Sequence, residues 1–258
     1  MAALVLCGTA LAVGPWPGLA RSVSSADGVR YVASRAHGAT TVRALRGSRV
    51  VATAKVDGLF GIPAVTINAR AGGLSPNGRL LVLAEPPNYE GLRSRSQFVL
   101  LATKPLAVRD TIVLPGEFGF DALSPDGRTL FLLRHGSSSD LNAYEVRAYD
   151  LSAKKLLRRV IVAKGESATM RGYPAQRATS KSGTWVYTLY SRQRGAPFIH
   201  ALNTVRRSAV CIDLPWHDAS FSDAFQARFV LSPDDRTLTV RMSSGAVATV
   251  DTRTFRVS

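Results

Sequence analysis

Three of the four histidines, His37, His135 and His217, fall in polar stretches between apolar runs. Neutral imidazole is the commonest side-chain ligand of transition metals, so a fold that gathered these three would make a divalent-metal site. No ligand spacing links them, however, and solvated loop histidine is the plainer reading, so no resident metal is expected. The fourth, His200, sits inside an apolar run and reads as a structural residue. The densest cluster of chemistry is Trp216-His217-Asp218, which offers a stacking surface, a titratable ring and a carboxylate. A Trp that packs down between layers as a loop plug is the commoner outcome. Glu117 and Asp121 are close enough in sequence to suggest a carboxylate pair for acid–base work. Asp121 is equally suited to satisfying backbone donors, and proximity in sequence is not a dyad.

Arginine is the other candidate. Lys and Arg number 33 against 18 acidic residues, a net charge of +15, and with only six lysines 27 of the cations are arginines. A guanidinium binds phosphate or carboxylate through two parallel hydrogen bonds, so such a bias suits an anionic ligand, although a GC-rich coding sequence produces the same bias. Arg93, Arg95, Arg134, Arg171, Arg192 and Arg194 stand in the longer polar stretches, with Tyr173 and His135 among them. No G-x-S-x-G elbow, H-E-x-x-H helix, P-loop or dinucleotide fingerprint is present, so no cofactor is expected and no single motif declares an enzyme.

The elements that must hold these residues announce themselves as a repeat. Ser75-Pro76-Asn77-Gly78-Arg79, Ser124-Pro125-Asp126-Gly127-Arg128 and Ser232-Pro233-Asp234-Asp235-Arg236 are near copies, with degraded versions beginning at Ser180 and Ser25. The five recur at intervals of roughly fifty residues, the spacing of propeller blades. Proline presets the first turn position, Asp or Asn bonds to nearby backbone, and Gly takes the left-handed site, so each copy predicts a tight turn between two strands. After each turn come apolar runs, at 29–33, 80–83, 130–133, 185–189 and 238–240, several of them apolar at nearly every position, as expected of strands covered on both faces. Third and fourth runs follow in each unit, and nothing shows sustained helical periodicity. The expectation is an all-β chain of about five four-stranded meanders, the first lacking a clear strand before Ser25.

These residues resemble the bacterial TolB and YVTN-type, WD-like propeller repeats, in which a blade carries Ser-Pro-Asp-Gly between its first two strands. The resemblance covers nearly all of 21–258 and implies one β-propeller domain. It says little of function, because such propellers serve as scaffolds, receptors, hydrolases and lyases alike. It also implies two faces. The turns between first and second strands lie on one, and the second-to-third turns with the blade connections lie on the other, here called the top, where the candidate ligand residues Arg93, Arg95, Arg134, His135, Arg171, Tyr173, Trp216 and His217 fall.

Residues 1–20 carry no charge and run apolar from 2 to 13, too short for a membrane span. They read as a secretory leader cleaved after Ala20, although no basic residue precedes the apolar run; the alternative is an edge strand of the fold in a cytoplasmic protein. A processed chain keeps Cys211 of the two cysteines and no internal disulfide. The functional expectation is an extracytoplasmic, non-catalytic binding or scaffold propeller whose top takes a protein or an anionic glycan of the envelope. Nucleic acid is disfavoured because the arginines are spread over both faces. A lactonase-like hydrolase or lyase using top-loop His and acidic residues is the alternative.

Overall fold

The computed structural model describes residues 17–88, 91–136, 140 and 142–258. Strand β1 (Leu19–Ala20) is followed by a first antiparallel sheet of β2 (Ser22–Ser24), β3 (Val29–Ala36), β4 (Ala39–Arg46) and β5 (Arg49–Asp57). After β6 (Ile62–Pro63), which pairs with β1, the second sheet holds β7 (Leu80–Ala84), β8 (Arg95–Thr103) and β9 (Leu106–Pro115), with Leu74 bridging Leu81 in the inner position. The third consists of β10 (Glu117–Leu123), β11 (Thr129–His135), β12 (Ala143–Asp150) and β13 (Lys155–Leu156), extended by β14 (Met170–Arg171) on β12. The fourth is β15 (Tyr173–Thr179), β16 (Trp185–Ser191), β17 (Phe198–Asn203) and β18 (Ser208–Asp213). A single helical turn, α1 (Asp223–Gln226), precedes the fifth, made of β19 (Arg228–Leu231), β20 (Thr237–Met242) and β21 (Gly245–Asp251), with Val257 bridging Val250 at its outer edge. The five meanders are therefore present, and the first has an inner strand after all. It is only Ser22-Val23-Ser24, too short and polar to stand out as a run.

Turn chemistry explains the repeat. In four of the five turns the serine hydroxyl bonds the Asp or Asn two residues on, from Ser25–Asp27 at 2.5 Å to Ser75–Asn77 at 2.7 Å. The same oxygen accepts an amide from the start of the next strand, as Leu80 N–H at 3.0 Å and Thr237 N–H at 2.9 Å. In the degraded Ser180 copy, Ser182 replaces the acid at 3.3 Å and the Trp185 amide is still bound. Gly183 there is held at φ 73° by need of space: a Cβ would stand 2.4 Å from Cγ of Pro76. A threonine from the end of the third strand then pins each of three turns: Thr103 to the Gly78 carbonyl at 2.6 Å, Thr204 to Gly183 at 2.7 Å and Thr252 to Asp235 at 2.6 Å.

The core lies in the seams between successive sheets. Val29, Tyr31 and Val42 of the first meet Leu81, Leu83 and Leu101 of the second. Val82, Leu100 and Leu114 meet Phe120, Leu130 and Leu132 of the third. Phe131, Tyr144 and Val146 meet Val186, Tyr190 and Phe198 of the fourth. Leu189, Ile199 and Ile212 meet Leu238, Val240 and Val250 of the fifth, and there Trp216 is buried as well. Among the described residues, no such cluster joins the fifth sheet to the first. The connection from the first sheet to the second reaches across instead. The Ile67 amide donates to the Pro174 carbonyl at 2.9 Å, and the Asn68 side chain donates to the Phe225 carbonyl at 3.2 Å.

Candidate functional site

The long connection leaving the third sheet returns to its top as β14, where Arg171 stands opposite Ala143. Its Nε donates to Oδ2 of Asp140 at 2.7 Å, and this guanidinium holds the Asp140 carboxyl below the usual carboxylate range. Gly172 follows at φ 150°, with a would-be Cβ 3.0 Å from the Ser191 carbonyl, so only glycine lets the chain turn this close to the fourth sheet. Tyr173 then opens β15 with its ring edge-on to Phe221 at 5.1 Å. The β16–β17 hairpin brings Arg192, Gln193 and Arg194 alongside, and Gln193 Nε2 donates to the Tyr173 hydroxyl at 3.1 Å. Arg192 lies 4.2 Å over the Phe198 ring, with Nη1 3.2 Å from the Ala196 carbonyl and 3.6 Å from Asp213 Oδ1. Asp140, Asn142, Arg171, Gly172, Tyr173 and the three hairpin residues enclose a cleft of about 560 Å³, within the range of ligand sites. Arg194 is exposed and makes no ion pair among the described residues. Three guanidiniums beside a tyrosine face two acids, a surplus of positive charge held by side chains that can turn to a ligand.

The other predicted residues are placed elsewhere. Arg134 borders a separate cleft of about 360 Å³ with Thr169 and Tyr144, and its Nη1 lies 3.7 Å from Glu145. Arg95 is exposed at the start of β8. Arg93 turns inward: its amide donates to Glu117 Oε2 at 2.8 Å, Nη1 is 3.6 Å from Glu85 Oε2, and Nη2 reaches the Pro86 carbonyl. His135, directly across from Glu117 in register, is 7% exposed with its ring 5.8 Å from that of Tyr144. Glu117 thus belongs with Glu85 and Arg93, while Asp121 pairs with Arg177 in the seam of the third and fourth sheets; the two carboxylates of β10 are not a dyad. Burial pushes the Glu117 carboxyl up, with Arg93 opposing. The cavity beside this group holds only about 50 Å³, below what a substrate needs.

Trp216 is the loop plug, 7% exposed, and His217 beside it is exposed on the connection. His37 tips the β3–β4 hairpin with φ 49°. Among the described residues no three His, Cys, Asp or Glu side chains are grouped to hold a metal, so His37, His135 and His217 do not converge. Residues 1–16 of the leader segment lie outside the described residues. Leu19 and Ala20 of that segment pair with Pro63 and Ile62. Burial pushes the Cys211 thiol up to about 11, which makes it an inert packing group. Sequence reasoning missed the Glu85–Arg93–Glu117 group, because nothing local signals that two loops of neighbouring sheets will meet.

No family model and no curated protein matches the chain. Solved structures do. The dihydro-heme d1 dehydrogenase NirN, solved in complex with DHE, aligns over 94% of this chain and 45% of its own, with 14% identity and a TM-score of 0.54. The β-propeller domain of Cps50 (Swd1) from Myceliophteria thermophila aligns over 92% and 65%, with 11% identity and a TM-score of 0.51. TolB from Acinetobacter baumannii aligns over 94% and 52%, with 15% identity and a TM-score of 0.45. The fold is a β-propeller, as in the Cps50 domain, and the chain spans about half to two thirds of these proteins. No helix among the described residues is long and apolar enough to cross a membrane.

Proposed function

We propose that this propeller is a non-catalytic binding module that takes an anionic group, carried by a protein or an envelope glycan, in the cleft of Arg171, Tyr173, Arg192 and Arg194. The carrying observation is the convergence of three arginines from two sheets on one cleft beside the half-buried Tyr173. The exposed ion pairs with Asp140 and Asp213 are weak enough in water to exchange for a ligand carboxylate, sulfate or phosphate. Catalysis is the lesser reading, since the buried Glu117 carboxyl has no room beside it for a substrate and the buried Asp121 carboxyl is paired with Arg177. Export belongs to the same proposal and rests on the uncharged apolar start. Intact-mass analysis of protein from a secreting host should find residues 1–20 removed, and retention of Met1 would count against it.

The binding test uses a heparin-derived oligosaccharide and poly-L-glutamate as probes. Arg171→Ala with Arg194→Ala should weaken binding about tenfold. Lys154→Ala with Lys155→Ala, at the end of the β12–β13 turn and the first residue of β13, removes the same charge away from the cleft and should change it little. Equal losses would assign binding to net charge and end the cleft reading. Affinity should also fall as salt rises, because exposed charges are screened over roughly 8–10 Å.

A further inference from the structure

Four seams are filled and a fifth is not, which leaves one face of the first sheet and one of the fifth without a neighbour among the described residues. The strand register shows what these faces carry. On the first, Arg30, Val32, Arg43 and Leu45 alternate with the buried residues Tyr31, Val42 and Ala44, and Val50 and Lys55 continue the face on β5. On the fifth, Arg228 and Val230 alternate with Phe229 and Leu231, which pack on the fourth sheet. Arg228 stands directly across from Arg241, and Val230, 51% exposed, across from Thr239. A groove of about 770 Å³ runs over this face between Gln226 and Ser243.

Like charges directly opposite on a strand pair destabilise it, as Arg228 and Arg241 do here, and the two acids that the register places on these faces, Asp57 and Asp251, form no ion pair with the cations among the described residues. None of Arg30, Arg43, Lys55, Arg228 or Arg241 has an ion pair among the described residues. Both faces combine aliphatic side chains at strand spacing with unneutralised cations. That is a poor surface for solvent and a poor one for a second copy of a chain bearing +15, since either face would meet cations again. A flexible polyanion would neutralise the arginines but leave Val32, Leu45 and Val230 uncovered.

We propose that these two uncovered sheet faces dock an acidic β-sheet of a partner protein, whose carboxylates sit between the cross-strand arginines while its apolar residues cover the valines and leucine. This surface is distinct from the arginine cleft, and its test does not depend on that reading.

The test places the photo-crosslinker p-benzoylphenylalanine in the full chain at Val230, at Val50 or, as a control, at Val113, which is 53% exposed on β9. The crosslinker is activated in cells that make the protein naturally. Protein adducts are expected at positions 230 and 50 and not at 113, with the crosslinked partner peptide carrying net negative charge. Arg228→Glu with Arg241→Glu should cut the adduct at 230 about tenfold while the variant melts as the parent does. Arg30→Glu with Arg43→Glu should do the same at 50, an independent arm should the first variant fold poorly. An adduct with a second copy of this chain, an adduct removed by nuclease, no adduct, or an adduct that survives both charge reversals would each overturn the proposal.

Discussion

The same chemistry, arginine against aspartate, occurs in two settings about one sheet apart. In the seam of the third and fourth sheets, Arg177 donates to both the side chain and the carbonyl of Asp121, and the two side chains are 6% and 3% exposed. On the top cleft, Arg171 and Asp140 have side chains 66% and 33% exposed. Around the first pair stand Tyr144, Tyr190 and His200, all buried, and the Nε2 of His200 has no hydrogen-bond partner among the described residues. The second pair borders an open cleft. The buried pair is committed to holding two blades together, because neither ion can leave its partner without remaining desolvated. The exposed pair can dissolve into water at little cost, and that freedom is what a binding site requires.

Removing one partner from each pair separates the two cases most widely. Asp121→Ala leaves Arg177 buried and uncompensated and should cost about 3–5 kcal/mol in denaturant unfolding. Asp140→Ala should cost less than about 1 kcal/mol. Equal costs would dissolve the distinction.

The seam should also respond to mild acid, at a higher pH than the Asp140 carboxyl, which Arg171 holds below the usual carboxylate range. Burial lowers the His200 pKa from 6.5 to about 4. The folded protein therefore keeps the ring neutral while the unfolded chain takes a proton below pH 6.5. Its contribution is complete above about pH 6.5 and is lost as the pH falls toward 4, with a total of about 3 kcal/mol. Unfolding measured at pH 7 and pH 4 should show that loss in the parent, and His200→Gln should reduce the slope over this window.

Two glycines test packed against open in the repeat itself. Gly183 and Gly28 have similar φ, 73° and 81°, but a Cβ at 183 meets Pro76 whereas one at 28 meets nothing within 4 Å. Gly28→Ala should cost about 1 kcal/mol for the backbone alone and Gly183→Ala about 2–3 kcal/mol, read as thermal midpoints. The smallest effect on stability is expected from Arg171→Ala, under about 1 kcal/mol, although the same change should weaken anion binding.

The blades were legible in the sequence because their signal is local: Ser, Pro, Asp and Gly at consecutive positions make one turn, and apolar runs beside it make the strands. Even the fifth copy, with Asp235 in place of Gly, keeps the left-handed site at φ 59°. The arginine cleft was half legible. Arg171, Tyr173, Arg192 and Arg194 could be assigned to the top, but that they meet, while Arg93 turns inward and Trp216 is buried, depends on β14 and on seam packing between residues far apart in sequence. The missing fifth seam left no local trace either, since the strand residues of the first and fifth sheets alternate as those of any half-covered strand do.

The connection that crosses from the first sheet to Pro174 and Phe225 also bears on the order of assembly. Its two hydrogen bonds join residues 107 and 157 positions apart in the chain. Contacts of such sequence separation form late, after the entropy of closing the intervening loop has been met. During synthesis the Ile67 amide and the Asn68 side chain have no partner until the fourth sheet and α1 have emerged. The first sheet, which among the described residues packs on the second alone, stays without this tie until residues 174 and 225 have been made.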